Sequence, residues 1–191
     1  KAVETLKKAA EKADNNSLSP TFLVQAGEIL ESHIGWYHNV MTLVHDWYQV
    51  QVGAVDPRAR KIKFDEELMG DLIRFVSSHE VGHTLGLRHN MISSSFTPVE
   101  KLRDKAWLEQ HGHTVSIMDY ARFNYVAQPE DKIGEKGLFP RIGDYDKWAI
   151  QWGYQYRPEF KNPYDEKKAL RAPVSIDRKS SSAGMPRPIS Y

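Results

Sequence analysis

The eleven residues from His79 to His89, His-Glu-Val-Gly-His-Thr-Leu-Gly-Leu-Arg-His, dictate more of the local fold than any other stretch of the chain. Residues four apart stand one turn apart on the same helix face. His79 and His83 can therefore turn imidazole nitrogens toward one ion at about 2.0–2.1 Å if residues 79–83 are helical. Gly86 must then end the helix, because a left-handed residue costs little only when it has no Cβ, and the turn it allows swings His89 back as third ligand. Three ligands leave a fourth position open to water, the arrangement of a catalytic zinc site rather than a closed structural one. Glu80 lies beside that position and outside the ligand set, where it can act as general base on a water whose pKa zinc lowers to about 7. A bare H-E-x-x-H arises by chance on solvated helices, but the longer H-E-x-x-H-x-x-G-x-x-H is met here at every fixed position.

The chain has no cysteine, which removes disulfides, thiolate zinc sites and a cysteine nucleophile, and leaves histidine and carboxylate as metal ligands. With 26 basic against 25 acidic residues, the formal charge of +1 points to no polyanionic partner such as nucleic acid. No apolar run approaches the roughly 18 residues of a membrane span. No charged-then-apolar leader opens the chain, and its start at Lys1 fits a piece of a longer precursor. A length of 191 residues suits one domain with flanks.

Along the chain, residues 1–14 read as an amphipathic helix, and Ser19-Pro20 opens one long or two consecutive helices to about Trp47, with a break near Gly35. Residues 47–55, Trp-Tyr-Gln-Val-Gln-Val-Gly-Ala-Val, alternate with a period of two and predict a strand that stops at Asp56-Pro57. An extended peptide substrate is expected to add to the edge of that strand. Asp65 caps a helix whose apolar positions keep a 3.6 period to Gly86, Thr97-Pro98 begins another to about Gln110, a loop follows from Gly112 to about Gly137, and a short helix covers Tyr145 to Gln151. Beyond Arg171 the chain is polar and proline-punctuated and reads as poorly ordered. The resulting division is an N-terminal helical segment over 1–46, a catalytic domain over 47–170 and a tail over 171–191.

Ser116-Ile117-Met118-Asp119-Tyr120 follows the histidine motif by a helix and a loop. Alone, a Met-x-Tyr is more often core packing, but the Tyr120 phenol two residues beyond Met118 can reach the metal or a developing oxyanion. His33, His38 and His45 lie at spacings that do not present three ligands to one ion and read as surface or packing residues. His111 and His113 sit in a loop that can pass near the cleft, and Arg88, Asn90 and Met91 flank the third ligand, where they can shape one wall.

The histidine motif together with the Met118 segment resembles the metzincins, and the Ser-x-Met-x-Tyr pattern resembles the astacin and serralysin groups among them. Closer still is the resemblance to the Met-zincin catalytic domain of large bacterial zinc-dependent metalloproteases, carried by Val55 to Arg58, His79 to Asn90, Ser116 to Tyr125 and Tyr145 to Ile150. The resemblance implies an α+β, zincin-like fold, mostly helical in this chain with a small sheet, an active-site helix ending at Gly86 and a Met-turn at Met118. It also implies a zinc-dependent endopeptidase of protein or peptide substrates, with Zn2+ on His79, His83 and His89, Glu80 as base and Tyr120 as a second catalytic group. Members resemble exported proteins with further domains upstream. The alternatives are a catalytically incomplete zinc-binding module or protease fragment, and a zinc hydrolase of a non-peptide amide.

Overall fold

The computed structural model describes residues 21–25, 28–162 and 164–169; the helix expected over 1–14 and the tail from 171 lie outside them. The first elements are two antiparallel strands, β1 (Thr21–Gln25) and β2 (Glu28–His33), with a register shift between Leu23 and Val24. They overturn the helix expected ahead of the Gly35 break, whereas the part beyond it is helical from His38. Antiparallel pairing satisfies the main-chain groups of both strands by bonds between them. Ile29 and Leu30 of β2 remain exposed.

Helix α1 (His38–Val52) replaces the strand expected over 47–55 and runs continuously across positions 46 and 47. Both periodicities are written into this segment, and packing selects between them. Val44, Tyr48 and Val52, four apart, are no more than 1% exposed, whereas Val50, which a strand would bury with Tyr48 and Val52, is 84% exposed. The strand edge proposed to hold substrate therefore does not exist.

Helix α2 (Glu66–Thr84) is opened by the Asp65 carboxylate, which accepts the Leu68 N–H at 2.9 Å, and by Glu66 and Glu67 in the positive first turn. Its first half buries Leu68, Leu72 and Val76 against α1. Tyr48 is the hub of that core: its ring meets Phe123 at 4.8 Å and Phe139 at 5.0 Å, so the far third of the chain closes over α1 and α2. The Tyr48 hydroxyl donates to Asp56 at 2.7 Å, and Asp56 also receives the Arg58 main-chain N–H and guanidinium.

Beyond α2 the expected helix over 97–110 is two pieces, a 3₁₀ turn (Val99–Arg103) and α3 (Lys105–His111), divided where the Asp104 side chain caps the second by accepting the Trp107 N–H. A one-turn helix α4 (Glu135–Leu138) and α5 (Asp144–Tyr154) complete a mostly helical domain.

Candidate metal centre

The second half of α2 leaves the core and carries His79, Glu80 and Gly82 into a buried position of their own. The helix stops at Thr84. Gly86 takes φ 83°, its N–H bonds the His83 carbonyl at 2.9 Å, and the Leu87 N–H reaches back to the Gly82 carbonyl at 3.0 Å. This paired closure satisfies carbonyls the helix end would otherwise leave bare, and it reverses the chain toward His89. The Tyr154 hydroxyl of α5 donates to one more of them, on Leu85, at 2.8 Å.

The ligand atoms of His79, His83 and His89 all lie within 4.8 Å of one another. The His79 Nδ1 bonds the Ile117 carbonyl at 2.8 Å and the His83 Nδ1 bonds the Leu87 carbonyl at 2.8 Å. A carbonyl can only accept, so each Nδ1 carries the proton and each Nε2 keeps its lone pair for an ion. The Nε2 atoms of His83 and His89 are 3.0 Å apart, near the roughly 3.4 Å separation of two ligands on a tetrahedral ion. Three neutral imidazoles with their inner nitrogens converging fit zinc.

Residues 61–184, well over half of the sequence, match the Met-zincin family. The chain belongs to it. No curated protein and no solved structure matches the chain significantly.

In this Met-zincin, residues 116–118 pass directly behind the histidines. Met118 is fully buried, its carbonyl receives the Asn90 N–H at 2.9 Å, and its Sδ lies where a Cβ on residue 82 would approach to 2.4 Å. Only glycine at 82 lets helix and methionine come this close. The segment is pinned by Asp146 of α5, whose carboxylate accepts the Ser116 hydroxyl at 2.6 Å and the Ile117 N–H at 2.7 Å. Asp146 and Gly82 escaped the sequence reading because their roles depend on contacts between distant segments.

Glu80 is 6% exposed, and its Oε2 has no hydrogen-bond partner among the described residues. Burial pushes its carboxyl up to about 7. The Tyr120 ring sits 4.5 Å from that of His89 and 5.5 Å from that of His79, with the side chain half-exposed. Burial, and then the nearby Glu80 charge, raise its phenol above the ordinary tyrosine value. Asn90 anchors the third-ligand segment through its main chain, and Met91 is exposed.

The other histidines stand apart from this group. His33 pairs with exposed Glu31, His45 packs on Phe64, and His111 stacks on Trp107. His113 is buried and donates from Nε2 to the Arg122 carbonyl at 2.9 Å. A groove of about 840 Å³ runs between α2 and α5, lined by Val81, Leu85, Ile142, Ile150 and Tyr154. Neither Glu80 nor any of the three histidines lines it, so the chemistry belongs to the opposite face of α2.

Proposed function

We propose that this Met-zincin is a zinc-dependent endopeptidase in which Glu80 is the general base. The observation that carries the reading is a buried carboxylate with an unpartnered oxygen, one residue from a ligand in a three-histidine cluster. When bound by His79, His83 and His89, zinc supplies Lewis acidity and makes water acidic near neutral pH. Glu80 takes the proton from the attacking water and returns it to the leaving amine. The raised phenol of Tyr120 stays protonated at neutral pH and donates a hydrogen bond to the oxygen on which charge develops. Gly86 sets the return of His89, and Met118 fills the space behind the ligands so that they hold one geometry. The substrates are proteins or peptides met outside the cytoplasm, and other domains of a longer precursor accompany the chain.

The test is hydrolysis of a quenched peptide library by the zinc-loaded chain, with and without chelator. Glu80→Ala is expected to lose about 10³-fold in rate while still binding zinc. Cleavage that survives chelator, or is unchanged in the variant, refutes the mechanism. Tyr120→Phe is expected to lower kcat by roughly 10²-fold. Full turnover in that variant would leave Tyr120 as packing only.

A further inference from the structure

Arg122 is an outlier in backbone, in charge and in position. Its φ is 59°, a left-handed conformation that non-glycine residues adopt rarely and hold only when their surroundings impose it. The surroundings here do so on both sides: His113 donates to the Arg122 carbonyl, and the next N–H, on Phe123, donates to the Gln51 side chain at 3.0 Å. The guanidinium is thereby held over the Trp47 ring at 3.9 Å and the Tyr120 ring at 4.8 Å. Tyr120 in turn is against His89 and His79, so the cation stands at the rim of the metal centre.

Other arginines find acceptors within the chain: Arg58 meets Asp56, Arg74 meets Asp71, Arg103 meets Asp131, and Arg60 and Arg141 bond main-chain carbonyls. Among the described residues, the Arg122 guanidinium makes no hydrogen bond and no ion pair. Two rings lie against it while its N–H groups stay without a partner among the described residues, and a guanidinium so held can grip a carboxylate with two parallel hydrogen bonds. A partly buried cation beside a site for a dication is also a concentration of like charge, which an anion on the ligand relieves.

We propose that Arg122 is a specificity-determining residue that binds a carboxylate of the substrate close to the bond being cut. The inference rests on the peptidase reading above. The carboxylate is an acidic side chain or the free end of a peptide, and the two are separable by experiment.

The test uses the full zinc-loaded chain and fluorescent peptides, acetylated and amidated, that differ only in Glu or Gln at each position in turn. A further pair differs only in a free or amidated C-terminus. Binding is read by fluorescence anisotropy, with and without zinc, and hydrolysis is followed separately. At one position, or at the free terminus, the carboxylate peptide is expected to bind about tenfold tighter than its neutral twin, with the preference shrinking in high salt. Arg122→Asn, chosen because asparagine tolerates the left-handed backbone, abolishes the preference, and Arg122→Lys keeps part of it. In hydrolysis the effect falls on KM more than on kcat.

Equal binding of the twins by the wild-type chain overturns the proposal, as does binding of none of the peptides. A preference that survives in folded Arg122→Asn overturns it too. If Arg122→Asn does not fold, a reduced preference in Arg122→Lys supports the site and an undiminished one overturns it. Absence of hydrolysis with the charge preference intact in binding refutes the peptidase reading and leaves the Arg122 site standing.

Discussion

Two buried carboxylates, Asp56 and Glu80, have opposite surroundings. Asp56, at the end of the core, is 7% exposed and is met by the Tyr48 hydroxyl, the Arg58 main chain and the Arg58 guanidinium. Burial alone would push it up, but these hydrogen bonds outweigh burial and hold it below the usual carboxylate range. Glu80 is 6% exposed and has no such company, so burial acts unopposed. The same contrast separates Arg58, paired, from Arg122, stacked and unpaired. One region satisfies its polar groups from within. The other leaves them for something that arrives from outside, which is the physical mark of a site rather than a core.

The contrast breaks most directly by exchanging the two carboxylates' fates. Asp56→Ala strands the Tyr48 hydroxyl and the Arg58 charge and is expected to cost roughly 3 kcal/mol in urea unfolding while leaving hydrolysis per folded molecule intact. Glu80→Ala is expected to do the reverse, losing turnover without losing stability. A variant pair in which both lose stability equally would erase the distinction.

His113 offers a third solution, burial in the neutral form. Burial pushes its imidazole down from 6.5 to about 4, against the hydrogen bond to the Arg122 carbonyl. The unfolded chain binds this proton more readily than the folded one between those values. Stability present above pH 6.5 is therefore lost as pH falls toward about 4, by up to roughly 3 kcal/mol. Urea unfolding across that window should show the loss in the wild-type chain and a flatter profile in His113→Gln.

A smaller effect sharpens the comparison from the metal side. Gly82→Ala drives a methyl against the Met118 Sδ and is expected to cost roughly 1–3 kcal/mol in thermal unfolding, less when Met118→Ala is added. Indifference to the first change would mean that Met118 is loosely held.

The metal centre was the most legible part of the sequence because helix spacing and a single glycine fix the relative positions of His79, His83 and His89 with little help from the rest of the fold. Residues 47–55 misled because they satisfy a period of two and a period of four at once, and the choice is made by Phe123 and Phe139, which arrive from far along the chain. The hairpin over 21–33 was hidden in the same way by apolar residues that also suit a helix. Arg122 shows in the sequence only within the family pattern; its backbone strain and its ring partner on α1, Trp47, belong to the folded chain.

One detail ties the ligands together. Residues 117 and 118 hold His79 through the Ile117 carbonyl and the His89 segment through the Met118 carbonyl, while Met118 leans on the helix between His79 and His83. His79 and the His89 segment thus share a single latch, while His83 is held locally by the Leu87 carbonyl. Local opening of that latch is expected to loosen His79 and His89 together rather than one after the other.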